Sequence, residues 1–68
     1  MKKVIKLNGK KYEVPKDVGT VRQLLAHLDL SDRIAVIEFN QMILLKEDYE
    51  EPINDKDQIE IIHFVGGG

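Results

Sequence analysis

The sequence predicts an α+β domain, a mixed sheet of about five strands covered by one main helix. Three observations carry this reading. Residues 3–7 and 11–14 are short strand-like runs on either side of Asn8-Gly9, a hairpin signal. Val21, Leu24, Leu25 and Leu28 fall at i, i+3, i+4 and i+7, which is one apolar stripe on a single helix. Residues 34–39, 42–44 and 58–65 add three further apolar or alternating runs of strand length.

Each element has a local reason. Lys3-Val-Ile-Lys-Leu7 is partly β-branched and reads as a strand. Asn8 and Gly9 both tolerate positive φ, as a type I′ turn requires. Lys11-Tyr-Glu-Val14 alternates, so Tyr12 and Val14 face one way. Pro15 stops this strand because it has no N–H to give to a ladder. Lys11, placed at a sheet edge, discourages edge-to-edge pairing. Gly19 breaks the chain, and Thr20-Val21-Arg22-Gln23 fits a capping box. The helix that follows spans about two and a half turns and ends near Asp29. His27 lies off the apolar stripe and is read as facing solvent.

Ile34-Ala-Val-Ile-Glu-Phe39 reads as a strand with both faces partly covered. Asn40-Gln41 turns the chain less strongly than Asn-Gly would, and Met42-Ile43-Leu44 returns. Lys46–Glu51 suits one helical turn, with Tyr49 anchoring it against the core. The acids Glu47, Asp48, Glu50 and Glu51 read as a solvated face. Pro52-Ile53 and Asn54–Asp57 form a loop. In the last strand, residues 58–65, Ile59 and Ile61 face the core, and Glu60, Ile62 and Phe64 face away. By alternation His63 shares the Ile61 face, where a packed or hydrogen-bonded histidine is expected. The second half of this strand is apolar on both faces, which a bulge or a partner would explain. One helix with one stripe covers one sheet, and the economical topology puts the first and last strands side by side in its centre. That is the β-grasp arrangement.

Composition narrows the function. With 68 residues there is room for one domain with a modest core. Hydrophobic residues make up 43% and charged residues 32%, a globular balance. Without cysteine there is no disulfide, thiolate metal site or thiol nucleophile. His27 and His63 do not sit at ligand spacing, so no metal is expected. No apolar run is long enough for a signal peptide or a membrane span, and the expected compartment is the cytoplasm. The net charge of −2 divides into +5 over residues 1–22 and −7 over residues 23–68. Only Tyr12 accompanies the lysines, which argues against a nucleic-acid surface. The acidic half suits steering toward a basic partner.

The chain then closes on Phe64-Val65-Gly66-Gly67-Gly68. Three glycines are thin and flexible, and fully extended they carry the α-carboxylate of Gly68 about 10 Å past the last packed residue. Two readings stand. One is a frayed end without meaning. The other is that the carboxylate is the working group and is threaded into a narrow pocket on another protein. Residues 1–65 would then be the domain, and Gly66, Gly67 and Gly68 a flexible tail. Ile62, Phe64 and Val65, just before the tail, are either core or an apolar docking patch.

Taken together, the chain resembles the ubiquitin-like sulfur carriers, and within them the ThiS family of thiamine thiazole synthesis. The resemblance runs through the whole length. It rests on Asn8-Gly9, Thr20-Val21-Arg22-Gln23-Leu24-Leu25, Ala35-Val36-Ile37-Glu38-Phe39-Asn40, Asp55-Lys56-Asp57 and Ile59 through Gly68. Three turn positions depart from the family's habit. Asn40-Gln41 stands where Asn-Gly is common, Leu45-Lys46 where Pro-Arg is frequent, and Asp55-Lys56-Asp57 where Asp-Gly-Asp is frequent.

The resemblance implies a carrier rather than an enzyme. Gly68 would be adenylated by a ThiF-type activating enzyme using ATP, then converted to a thiocarboxylate with sulfur from a donor enzyme. A ThiG-type thiazole synthase would take that sulfur. The carrier would bind no cofactor, and no glycine-rich loop precedes a lysine to hold ATP. Related alternatives keep the chemistry and change the client to molybdopterin synthesis or tRNA thiolation. Others make the chain a ubiquitin-like modifier of lysines, or a plain binding module with incidental glycines.

Overall fold

The first hairpin reverses at Asn8 and Gly9, where φ is +52° and +83°. These are the left-handed angles that a two-residue type I′ turn needs. The computed structural model describes residues 2–31 and 34–63. The turn joins β1 (Lys3–Leu7) to β2 (Lys10–Val14) in an antiparallel pair, Leu7 opposite Lys10 and Lys3 opposite Val14. β2 begins one residue earlier than the alternation suggested and ends at Pro15, as the missing N–H requires.

Helix α1 (Val21–His27) is two turns long, slightly shorter than its stripe implied. All four of its leading N–H groups are accounted for. Val21 N–H donates to the Glu51 carbonyl (3.0 Å) and Arg22 N–H to the Tyr49 carbonyl (2.8 Å). Gln23 N–H donates to Thr20 Oγ1 (3.2 Å), and Leu24 N–H to the Thr20 carbonyl (3.0 Å). Gln23 Oε1 accepts in return from Thr20 N–H and Gly19 N–H, which completes the capping box. At the other end Asp29 takes φ +59°. Leu30 N–H reaches back to the Leu25 carbonyl and Asp29 N–H to the Ala26 carbonyl, which is a Schellman stop. His27 is exposed, as expected.

Strand β3 (Ile34–Phe39) and β4 (Met42–Leu44) pair antiparallel across Asn40-Gln41, and β5 (Gln58–His63) closes the sheet. The order is β2-β1-β5-β3-β4. β5 is therefore the middle strand, parallel to β1 and antiparallel to β3. β3 carries one extra residue between Ile34 and Val36, so the irregularity anticipated near the end of the last strand is a bulge in its neighbour. A short 3-10 helix (Lys46–Asp48) fills the place of the expected helical turn, and Tyr49 packs partly buried against the core.

The core lies between α1 and one face of the sheet. Val21, Leu24 and Leu25 of the helix meet Ile5, Val14, Ile37, Ile59 and Ile61 of the strands, all buried. Each such side chain contributes about 1.5–3 kcal/mol relative to exposure. Val18 and Ile53 complete the core from segments with no regular structure. Ile53 is wholly buried, its N–H bonded to the Gly19 carbonyl at 2.9 Å. The residue before it, Pro52, bridges Thr20. No helix among the described residues is long and apolar enough to cross a membrane.

Candidate functional site

The chemistry-bearing end of this chain issues from β5, so the site begins with what holds that strand. Ile59 and Ile61 are buried on the helix side and anchor it by packing. The loop before it is built by acid side chains. Asp55 Oδ1 accepts from Val4 N–H (2.7 Å), and Lys56 N–H donates to the Val4 carbonyl (2.8 Å). Asp57 Oδ2 accepts from Asn54 N–H (2.7 Å), and Asp57 Oδ1 accepts from Asn40 Nδ2 (3.1 Å). The Asp55-Lys56-Asp57 motif thus launches β5 from a tied loop, a role that its charges alone do not announce.

On the face away from α1 no helix or strand among the described residues covers the sheet. Ile62 of β5 stands opposite Val36 of β3, and Glu60 opposite Glu38. Ile43 of β4 lies beside Glu38 on the same face. Ile62 is 49% exposed and Ile43 60% exposed, so Ile62 is not core. This leaves a small apolar group around two carboxylates placed directly across from each other, an arrangement that costs stability in the free protein. Phe64, Val65, Gly66, Gly67 and Gly68 lie outside the described residues, and so does the His63 side chain. The acids Glu47, Asp48, Glu50 and Glu51 are exposed as a solvated face, with Glu50 paired to Arg22.

Among the described residues no group of three His, Cys, Asp or Glu is placed to hold a metal ion. What the arrangement offers is a middle strand, fixed on both sides, that runs toward a glycine terminus beside an exposed apolar patch. The ThiS family model matches residues 3–68, nearly the whole chain and its final glycines. The chain belongs to the ThiS family.

Relatives of known name agree with this membership. The chain is 47% identical over 66 residues to the sulfur carrier protein ThiS of Bacillus subtilis, covering 96% of this chain and all of that protein. It also superposes on the crystal structure of the thiamine biosynthesis protein ThiS from Geobacter metallireducens, with a TM-score of 0.73 and 26% identity. That match covers 96% of this chain and 99% of the other. The β-grasp expectation is met by the five-strand order and by this superposition. A third relative is the thiazole synthase of Paramagnetospirillum magneticum, 40% identical over 50 residues. The aligned stretch is 72% of this ThiS-family chain but only 15% of the synthase.

Proposed function

We propose that this protein carries sulfur for the thiazole of thiamine on the carboxyl group of Gly68. The observation that carries the reading is the family match through residue 68, in a fold whose middle strand leads to that end. A carboxylate is a poor electrophile until it gains a leaving group. A Gly68 oxygen attacks the α-phosphorus of ATP on a ThiF-type enzyme, and pyrophosphate departs. Sulfide sulfur from the donor then attacks the carbonyl carbon, the bond to AMP breaks, and a thiocarboxylate remains. The carrier's part is to present the group, since its own chain holds no cysteine to bear sulfur. Gly66 and Gly67 keep the approach thin enough for a partner's active site.

Thiazole synthase is the client that this reading favours. The Paramagnetospirillum relative supports it, because a stretch like this chain lies within a synthase polypeptide there. Ile62, with Phe64 and Val65 after it, is the proposed docking patch, supported by the exposure of Ile62 beside Val36. The test is intact mass. The protein is incubated with ATP, a ThiF-type enzyme and a sulfide donor, then weighed. The expected product gains the mass of one oxygen-to-sulfur exchange, localised to Gly68 by fragmentation. A chain extended past Gly68 stays unmodified. An unchanged mass for the wild-type chain under these conditions rejects the carrier reading.

A further inference from the structure

Among the described residues β1 and β5 are paired through two positions, Lys6 with Gln58 and Leu7 with Ile59. At Asn8 the backbone of β1 turns away into the hairpin, at φ +52°. Its N–H makes the last main-chain bond to β5, to the Ile59 carbonyl at 2.9 Å. The next β5 donor facing β1 is Ile61 N–H. β1 has no carbonyl left to offer it, and the Asn8 side chain takes its place. Asn8 Oδ1 accepts from Ile61 N–H at 2.7 Å, in a partly buried position. An amide oxygen thus replaces a peptide oxygen and adds one rung to the ladder. A type I′ turn asks of this position only a residue that tolerates positive φ, and glycine would serve. The side chain is therefore spent on β5, not on the turn.

We propose that Asn8 is a positioning residue for the carrier reaction. It holds β5 on its β1 side as far as Ile61, five positions before Gly66, while β3 holds the other side as far as His63, so the strand that precedes the tail is held on both edges. This inference rests on the sulfur-carrier reading above. A strand held on both edges spends a larger fraction of its time in the arrangement that a partner binds, and apparent affinity scales with that fraction. Asn40 provides an internal comparison. It sits in the second hairpin turn, also at positive φ, and binds the start of β5, with Gln58 N–H donating to Asn40 Oδ1 at 2.8 Å. It therefore supports the same strand from the other side, at the end farther from the tail.

The experiment compares Asn8→Gly, Asn8→Asp and Asn40→Gly with the wild-type chain. Glycine keeps the turn and removes the rung, and aspartate keeps both an acceptor oxygen and tolerance of positive φ. Amide hydrogen exchange is followed at Ile61, and steady-state adenylation by a ThiF-type enzyme is followed as pyrophosphate release. Asn8→Gly is expected to speed Ile61 exchange by about tenfold, as loss of a partly buried hydrogen bond should. It should raise KM by about threefold to tenfold with kcat unchanged. Asn8→Asp should restore both, and Asn40→Gly should leave Ile61 exchange and KM within about twofold of wild type. The proposal is overturned by unchanged Ile61 exchange in Asn8→Gly, by faster exchange with an unchanged KM, or by an equal rise of KM in Asn40→Gly. If the wild-type chain is not adenylated at all, it is the carrier reading that fails, and Ile61 exchange still reports on the rung.

Discussion

Replacing Ile53 by alanine should destabilise this protein more than any change on its exposed strand edge. Ile53 lies in a stretch without helix or strand, yet it is 0% exposed and packs among the residues that join α1 to the sheet. Truncating a buried isoleucine to alanine costs about 2–5 kcal/mol, the lost transfer energy plus the cavity left behind. A domain of this length has a total stability of roughly 3–10 kcal/mol, so the loss is a large share of it. The damage should also spread. The segment that Ile53 anchors supplies the Glu51 and Tyr49 carbonyls that satisfy Val21 N–H and Arg22 N–H. Loosening it uncaps α1.

Urea unfolding followed by far-UV circular dichroism measures the change as a fall in midpoint at constant slope. Ile53→Val should lose about 0.5–1.5 kcal/mol. At about 4–8 °C per kcal/mol for a domain this small, that corresponds to a melting temperature lower by roughly 2–12 °C. Leu45→Ala is the control, since Leu45 is 55% exposed and its loss should stay within about 0.5 kcal/mol. Val21 and Arg22 amides should exchange faster in Ile53→Val than in Leu45→Ala. Equal midpoints for Ile53→Ala and Leu45→Ala would refute the placement of Ile53 in the core.

Four further outcomes are expected. Thr20→Ala removes the acceptor for Gln23 N–H and should cost about 0.5–2 kcal/mol by denaturant titration, more than Thr20→Ser does. Gln41→Gly and Lys56→Gly should each stabilise the fold. Their φ values are +71° and +73°, and relief of a left-handed cost of about 1–2 kcal/mol outweighs the roughly 0.4–1 kcal/mol of added unfolded-chain freedom. Calorimetric melting temperatures check this, and a decrease in either variant counts against the strain. Glu60→Lys should raise stability by about 0.2–1 kcal/mol by ending the like-charge pairing with Glu38. If the open sheet face seats the activating enzyme, Ile62→Thr, which stays β-branched and uncharged, should weaken that binding in titration calorimetry while leaving the melting temperature nearly unchanged. Binding equal to wild type would remove Ile62 from the interface.

The parts of the fold that depend on near neighbours in the chain are legible in the amino-acid sequence. The Asn8-Gly9 turn, the Thr20–Gln23 box and the helix stripe each depend on residues within a turn or two of one another. The burial of Ile59 and Ile61 follows from alternation in the same local way. Ile53 and Val18 are not legible, because no periodicity surrounds them and their burial comes from the segments that fold over them. For Ile62 the alternation leaves core and docking patch open, and its exposure on the sheet face away from α1 removes the core reading.

The departures from family habit make the same distinction. Two of the three positions where glycine or proline-arginine is usual, Gln41 and Lys56, prove to be positive-φ positions. Local chemistry explains why glycine is common there, and this chain holds the same backbone with larger side chains. What keeps those turns in place is contact at long range, since Asn40 and Asp57, one beside each strained residue, are hydrogen-bonded to each other. Asn8 shows the limit most clearly. Its sequence context marks it as a turn residue, and none of its near neighbours reveals that its side chain also completes a ladder with Ile61, 53 residues away. A residue with a local job and a distant one shows only the first in sequence. Substitutions that keep the turn but remove the amide, as Asn8→Gly does, separate the two.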